Sequence, residues 1–180
     1  MPTASPLQHQ KELEELPLYL PKQNAVLIGR VIDDESKMSG MSAYYVSWRG
    51  SVHVGSYNEI DDAFTPRYST YLEEPMMSHQ VKEFNEMSVE KELSSIGKAL
   101  LDAYDFEKTQ AMPAKQAHVF ALQSVNGFTR AQTAQVLNVD PSTVDSQSAS
   151  AAQKADAAVS FVSTYSKKTE DKDAEDLLKH

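Results

Sequence analysis

Residues 127–146 read GFTRAQTAQVLNVDPSTVDS, and this stretch decides the fold of the C-terminal part of the chain. Thr129 followed three residues later by Gln132 has the spacing of a capping box, which predicts a helix start. Asp140 suits an N-cap and Pro141 the first position of a helix, so a second helix is expected to begin there. Two helices joined by a short turn are the arrangement of a helix-turn-helix motif.

One helix is expected before this motif, and the last helix is expected to extend beyond it. Pro113 to about Val125 reads as a helix, because Pro113 suits a first helical position and Asn126-Gly127 suits a helix end. After Pro141, small and apolar residues recur at intervals of four and three, which is the spacing of a seam that packs on another helix. The members of this seam are Ala151, Ala155, Ala158, Val162 and Tyr165.

The first half of the chain has the pattern of β-structure. Residues 25–32, 43–49 and 52–57 are short segments rich in β-branched or aromatic residues. The last two segments flank Gly50-Ser51, which predicts a hairpin, and an antiparallel sheet of about three strands is expected. The aromatic residues of this hairpin fit either core packing or a stacking surface for a ligand; they are Tyr44, Tyr45, Trp48 and Tyr57.

A helix is expected between the sheet and the C-terminal helices. Ser88 suits its N-cap, and the helix should run to Tyr104. Its apolar residues recur at intervals of four and three, so one face is expected to cover the sheet. These residues are Val89, Leu93, Ile96, Leu100 and Ala103.

Together these elements predict an α+β fold: a small antiparallel sheet with helices in the N-terminal part, followed by an all-α tri-helical helix-turn-helix with a C-terminal helical extension. The expected organisation is a polar lead-in at 1–23, an α+β domain at 24–105 that senses or assembles, a helix-turn-helix domain at 113–165, and a charged tail at 166–180.

The composition excludes several classes of protein. The 180 residues include no cysteine, which excludes disulfides, zinc–thiolate sites and cysteine nucleophiles. No apolar run reaches the roughly 18–20 residues of a membrane span, and residues 1–6 do not resemble a secretory signal, so a cytoplasmic protein is expected. The five histidines are scattered and no glycine-rich phosphate loop is present, so no enzyme, metal site or cofactor is predicted.

Residues 113–156 resemble the C-terminal helix-turn-helix of sigma factors and of LuxR-type regulators. The resemblance lies in the Phe128–Val139 helix, with Ala134 at the close helix contact, and in the Ser142-Thr143-Val144 step that opens the next helix. It implies that this last helix enters the major groove of double-stranded DNA. It also implies a set of DNA-facing residues: Ser142, Thr143, Ser146, Gln147, Ser150, Lys154 and, at the phosphate backbone, Arg130. Within that set, Gln147 is expected to pair with an adenine edge.

The charge is unusual for a DNA-binding protein. The formal net charge is −9, whereas much of the affinity for DNA comes from basic groups that release counterions from the phosphates. Two explanations fit this charge. Either the acidic groups lie away from the bound face, or the protein works in concentrated salt, where the Debye length is about 3 Å at 1 M.

The sequence therefore predicts a DNA-binding transcription regulator. The alternative is a non-enzymatic adaptor that keeps the helix-turn-helix shape and binds protein instead of DNA. The seam of small and apolar residues fits either packing within one chain or pairing of two copies into a homodimer. The DNA target, the effector and the direction of regulation are not specified by these residues.

Overall fold

The computed structural model describes residues 6–16, 19–20, 25–31, 42–48, 51–58, 63–70, 77–88 and 90–178. Six strands lie in these ranges: β1 (Tyr19–Leu20), β2 (Ala25–Val31), β3 (Ser42–Trp48), β4 (Ser51–Asn58), β5 (Ala63–Thr70) and β6 (Lys91–Leu93). The helices are α1 (Pro6–Glu14), α2 (Met77–Glu86), α3 (Ser95–Lys108), α4 (Ala114–Val119), α5 (Arg130–Leu137) and α6 (Pro141–Leu178). The fold is α+β, as predicted.

The strands form one antiparallel sheet in the order β1-β2-β3-β4-β5, and β6 also pairs with β2. The three predicted strands are confirmed as β2, β3 and β4, and the predicted hairpin is confirmed by the pairing of Trp48 with Ser51. β5 lies in the acidic and proline-containing stretch to which the sequence pattern assigned no element. The surroundings of the hairpin's four aromatic side chains lie outside the described residues.

The predicted start of the central helix at Ser88 is wrong. Residues 91–93 pair with β2 as β6, and the helix α3 begins only after Ser94. The hydroxyl of Ser94 accepts a hydrogen bond from the Gly97 N–H at 3.1 Å and donates one to the Ile28 carbonyl at 2.9 Å. Ser94 and Ile28 are 66 residues apart in the sequence, so a distant partner strand sets the helix start, which local spacing does not reveal.

Helix α3 lies tightly against β2, and a glycine makes this contact possible. A Cβ atom at Gly97 would overlap the backbone carbonyl of Ile28. Of the predicted apolar stripe, Ile96, Leu100 and Ala103 are buried in α3. Leu93 belongs to β6, and Val89 lies outside the described residues.

One hydrophobic cluster joins both halves of the chain. It contains Val26 and Ile28 of the sheet and Ile96 and Leu100 of α3, and it continues into the C-terminal helices through residues including Leu122, Leu137 and Val144. Leu16, which follows α1 in the predicted polar lead-in, is also buried in this cluster. The sheet and α3 therefore form the support against which the C-terminal helices pack, while the division of the chain into two domains stays a prediction.

The first C-terminal helix differs in two details from the expected continuous α-helix. Pro113 is its N-cap, in an extended conformation, and not its first helical residue. After α4, residues Phe120–Val125 form a wider, π-helical turn. The Ala121 carbonyl accepts hydrogen bonds from both the backbone N–H and the side-chain amide of Asn126, at 3.1 and 2.7 Å, which favours this wider spacing. Gly127 follows with a φ of 74°, a left-handed conformation that suits glycine, and ends the helix as predicted.

Candidate nucleic-acid interface

The helix-turn-helix is built by local hydrogen bonds at the start of α5. The Thr129 hydroxyl accepts a hydrogen bond from the Gln132 N–H at 3.1 Å, and the Gln132 side-chain oxygen accepts one from the Thr129 N–H at 2.9 Å. The predicted capping box is therefore confirmed. The buried apolar residues of α5 are Ala131, Ala134, Val136 and Leu137.

The turn between α5 and α6 is short and fixed at both ends. Asn138 caps α5 in a left-handed conformation with φ 53° and ψ 46°, which asparagine tolerates better than most residues. The Val139 N–H donates to the Ala134 carbonyl at 3.1 Å, and the first α6 hydrogen bonds run to the Asp140 carbonyl. Helix α6 begins at Pro141, as predicted.

Two fully buried residues hold the first part of α6 against the rest of the protein. Val144 and Ala151 have no exposed surface, and they lie seven residues apart, so they share one face of the helix. Because of this anchoring, the opposite face of the same turns is directed away from the core. Ser142 and Ser146 lie on that outward face and are exposed.

The remaining predicted side chains of α6 lie beside this outward face. Thr143, Gln147, Ser150 and Lys154 recur at intervals of four, three and four, so they form one row along the helix, and each is half-buried. The structure thus brings the six predicted residues of α6 to adjoining faces of about three turns. Their hydroxyl, amide and ammonium groups are the types that contact phosphates and base edges.

Arg130 is exposed but paired within the protein. Its Nε donates to one oxygen of Asp145 at 2.7 Å, and a terminal nitrogen of the guanidinium donates to the other oxygen at 2.7 Å. These hydrogen bonds lower the pKa of Asp145 and raise the pKa of Arg130. The pair links the start of α5 to the first turns of α6, and it occupies the Nε edge of the guanidinium, one of the two edges that can bind a phosphate with two hydrogen bonds.

The C-terminal helices match a known family of DNA-binding domains. Residues 107–152 match sigma-70, region 4. The match covers 46 of the 180 residues, from the end of α3 through α4 and α5 to the third turn of α6. Comparisons with curated proteins and with solved structures gave no match. The expected likeness to LuxR-type regulators stays a prediction.

Gln132 connects the region 4 segment, defined here as residues 107–152, to the N-terminal helix α1. The sequence pattern did not reveal this second role of the residue. The amide nitrogen of Gln132, the capping-box residue, donates to the Glu12 carbonyl of α1 at 2.9 Å. Gln132 is buried, and Leu16 packs in the same core. The start of α5 is therefore hydrogen-bonded to α1, which lies 120 residues earlier in the sequence.

A carboxylate at the beginning of the region 4 segment connects it to α2. Glu107 accepts hydrogen bonds from the Ser78 hydroxyl at 3.2 Å and from His79 Nε2 at 2.9 Å, and it lies 3.7 Å from Nδ1 of the buried His118. The sequence pattern described the histidines as scattered, but folding brings His79 and His118 to one carboxylate. Among the described residues, no group of three or more side chains is arranged to hold a metal ion.

His118 is a structural group in this cluster. Its Nδ1–H donates to the Ala114 carbonyl at 2.6 Å, and its Nε2 accepts from the Ser78 N–H at 3.3 Å. Burial lowers the pKa of His118, although the hydrogen bond to Ala114 and the charge of Glu107 act in the opposite direction. The imidazole of His118 therefore takes up a second ring proton more readily in the unfolded chain than in the folded protein. The free energy of unfolding is thus expected to fall as the pH drops through the ordinary histidine range.

Across the part of the chain that the structure describes, no helix has the length and apolar character needed to cross a membrane.

Proposed function

We propose that this protein is a DNA-binding regulator of transcription in which the first three to four turns of α6 lie in the major groove. The observation that carries the proposal is the anchoring of α6 by Val144 and Ala151, which directs Ser142 and Ser146 outward, beside the half-buried row of polar side chains. The match of residues 107–152 to sigma-70, region 4 supports it, because that family is a DNA-binding helix-turn-helix. A cytoplasmic location follows from this function, since the protein must reach DNA.

Within the proposed interface, the side chains are assigned to different groups of the DNA. Ser142 and Ser146 are assigned to phosphate or base contacts, since they are exposed on the outward face. Gln147 is assigned to an adenine edge, which its amide can contact with two hydrogen bonds. Thr143, Ser150 and Lys154 form the flank along the phosphate backbone.

Arg130 is assigned to a phosphate, and Asp145 is proposed to limit that contact. In the free protein both hydrogen bonds of the Nε edge of the guanidinium go to Asp145. Binding a phosphate by this edge then requires Arg130 to leave a carboxylate, and the freed Asp145 would lie near the DNA. This competition, together with the net charge of −9, predicts modest affinity for a single copy.

A homodimer is part of the proposal, because two linked copies that each bind weakly can bind two adjacent half-sites with useful affinity. The part of the predicted seam that is left for a partner copy is shorter than expected. Ala151 is buried within its own chain and Ala155 packs with Met112 and Ala117, so these two alanines serve the monomer. Ala158, Val162 and Tyr165 are exposed and remain for a partner copy.

The alternative function is a protein-binding adaptor, and one observation favours it. Of the two basic residues between positions 126 and 165, Arg130 is already paired with an acid, which leaves Lys154 as the remaining cation of that stretch. An adaptor of this kind would bind a basic partner protein and would not need phosphate contacts.

Selection of DNA from a random duplex library, at several salt concentrations, tests the proposal. An enriched sequence is expected, and the salt dependence of its affinity should correspond to few phosphate contacts. Replacing Gln147 with Ala should change the preferred base at one position. Arg130→Ala should lower the affinity for all DNA sequences by a similar factor and reduce the slope of log affinity against log salt concentration by about 1. No enrichment at any salt concentration would favour the adaptor.

Asp145→Asn tests the proposed competition for Arg130. It should raise the affinity, because it frees the guanidinium and removes a negative charge. Asp140→Asn is a matched control, since it removes one negative charge just before the same helix, keeps a residue that suits an N-cap, and leaves the Arg130–Asp145 pair intact. The gain from Asp145→Asn should exceed that from Asp140→Asn only while Arg130 is present. Equal gains in the presence and absence of Arg130 would show that general charge alone matters.

A further inference from the structure

Three helices meet at the buried cluster around Glu107 and His118, and the hydrogen bonds of this cluster hold the start of α2 to the region 4 segment. Glu107 and His118 belong to that segment, whereas Ser78 and His79 lie in the first turn of α2. Ser78 and His118 have no exposed surface, and the Glu107 side chain is only 11% exposed. The proposed contact with DNA does not involve this cluster.

The hydrogen bonds of His118 require one particular protonation state of its ring. Nδ1 lies 2.6 Å from the Ala114 carbonyl oxygen, which can only accept, so Nδ1 carries the hydrogen. Nε2 lies 3.3 Å from the Ser78 nitrogen, whose N–H can only donate, so Nε2 presents its lone pair. The imidazole is therefore neutral, and a second proton can be added only at Nε2, where it would face the N–H of Ser78.

This N–H is one of the backbone groups that α2 itself leaves without a partner. Ser78 is the second residue of α2, and the first N–H groups of a helix have no acceptor within it. A protonated Nε2 would place a donor and a positive charge at the positive end of the helix dipole. The distance of 3.3 Å also makes this a long hydrogen bond for an N–H group. Uptake of a proton by His118 therefore breaks the contact and repels the first turn of α2.

Glu107 offers the protonated ring a second arrangement. Its Oε2 accepts hydrogen bonds from the Ser78 hydroxyl and from His79 Nε2, but its Oε1 is buried and accepts none from the described residues. This Oε1 lies 3.7 Å from Nδ1 of His118. An imidazolium would be drawn to it, because hydrogen bonds between two ionised groups are stronger than those of neutral donors. The cluster thus contains an unused acceptor for the charged form of His118.

We propose that His118 is an acid-sensitive latch. When neutral, it holds the first turn of α2 to the region 4 segment, and when protonated, it turns to Glu107 and releases that turn. The titratable groups that act on it from neighbouring helices are Glu107 of α3 and His79 of α2. Helix α6 packs on α4 through Ala151 and Ala155, which carry no charge. His79 keeps its bond to Glu107 in both states, since a protonated or neutral ring can donate from Nε2.

The release is confined to the start of α2 and depends on pH in a defined direction. Val81 and Phe84 are buried and anchor the following turns of the helix. Burial lowers the pKa of His118 in the latched form, whereas a released ring titrates at the ordinary histidine pKa or above it. Lowering the pH from about 7.5 to about 5.5 should therefore increase the ratio of released to latched molecules by about tenfold.

Native-state hydrogen exchange of the full-length protein, without DNA, tests the latch at these two pH values and at several low urea concentrations. After correction for intrinsic exchange, the opening constants of the Ser78, Val81 and Lys82 amides should rise about tenfold at the lower pH. They should not depend on urea, because a local opening exposes little surface.

Two variants assign the effect to one histidine. His118→Gln keeps an acceptor that can reach Ser78 but does not titrate, so the rise should disappear. His79→Gln is the matched control, since it removes the other imidazole of the cluster and keeps a donor for Glu107. The rise should persist in this control.

The other outcomes overturn the inference. Exchange at the start of α2 that does not change with pH contradicts the latch. So does exchange that increases with urea in step with the amides of β2 and α3, because His118 is then protonated only when the whole protein unfolds. Loss of the effect in His79→Gln contradicts the assignment to His118.

A measurement on the unmodified protein keeps the test valid if His118→Gln does not fold. Nitrogen-15 NMR of the imidazole should show Nε2 of His118 without a hydrogen at about pH 7.5, and a hydrogen on Nε2 would contradict the latch. Because no DNA is present, these results are independent of the DNA selection that tests the proposed function.

Discussion

The two parts of α6 carry the same spacing of apolar residues in opposite surroundings. In residues 141–155, Val144 and Ala151 are fully buried against the other helices, whereas in residues 156–170 every residue is exposed, including Val162 in an equivalent position. The comparison shows that periodicity identifies the face of a helix that will be covered, but not what covers it. For the first part the cover is the protein's own core, and for the second we propose another copy.

The largest expected difference between the two parts is in how much a valine-to-alanine substitution lowers the free energy of unfolding. Val144→Ala removes two methyl groups from a site without exposed surface and should lower the free energy of unfolding by about 2–3 kcal/mol. Val162→Ala, the same change on the same helix, should lower it by less than about 0.5 kcal/mol at concentrations where the protein is monomeric. Urea denaturation followed by circular dichroism measures both. Equal effects would contradict the distinction between an anchored and a projecting part.

A smaller effect is expected from the cap that positions the anchored part. Thr129→Ala removes the capping-box hydrogen bond that the Thr129 hydroxyl accepts from the Gln132 N–H, and it should cost about 1 kcal/mol of stability. Thr164→Ala is the matched control on the exposed projecting part, where the change should be neutral or slightly stabilising because alanine favours a helix. Thermal unfolding compares the two variants. A Thr129→Ala protein as stable as the wild type would show that the start of α5 is held by its tertiary contacts alone.

The smallest effect is expected from removing the projecting part. A chain that ends after Asp156 should unfold with a free energy within about 0.5 kcal/mol of that of the full chain, since the removed side chains that the structure describes are exposed. The truncated protein should bind a single DNA half-site as the full chain does and lose the gain from a second half-site. A large loss of stability would mean that the extension packs on its own chain.

The features that were predicted most accurately from the sequence are those that depend on neighbouring residues. Thr129 and Gln132 form the predicted capping box, Pro141 begins the predicted helix, and the β3–β4 hairpin is paired as expected. These features depend on groups within a few residues of one another, whose chemistry is visible in the sequence. The α-helical continuation of α6 was also predicted, and it reaches Leu178, through the stretch expected to be a separate tail.

The features that sequence reasoning missed depend on distant partners. The local pattern predicts an N-cap at Ser88, because no neighbouring residue indicates that residues 91–93 pair with β2. Arg130 was expected to be available for phosphate, but Asp145 lies next to it only after the turn folds the two helices together. The contact of Gln132 with Glu12 and the meeting of His79 with Glu107 have the same origin. The DNA-facing set itself stays a prediction.

The central claim is that the anchored part of α6 reads DNA while the projecting part does not. The most direct measurement is an NMR titration of the ¹⁵N-labelled protein with the selected DNA duplex, carried out with one half-site. Shifts should concentrate on the amides of Arg130 and of residues 142–154, and residues 157–170 should be unaffected. Shifts confined to the projecting part, or none in residues 142–154, would contradict the account.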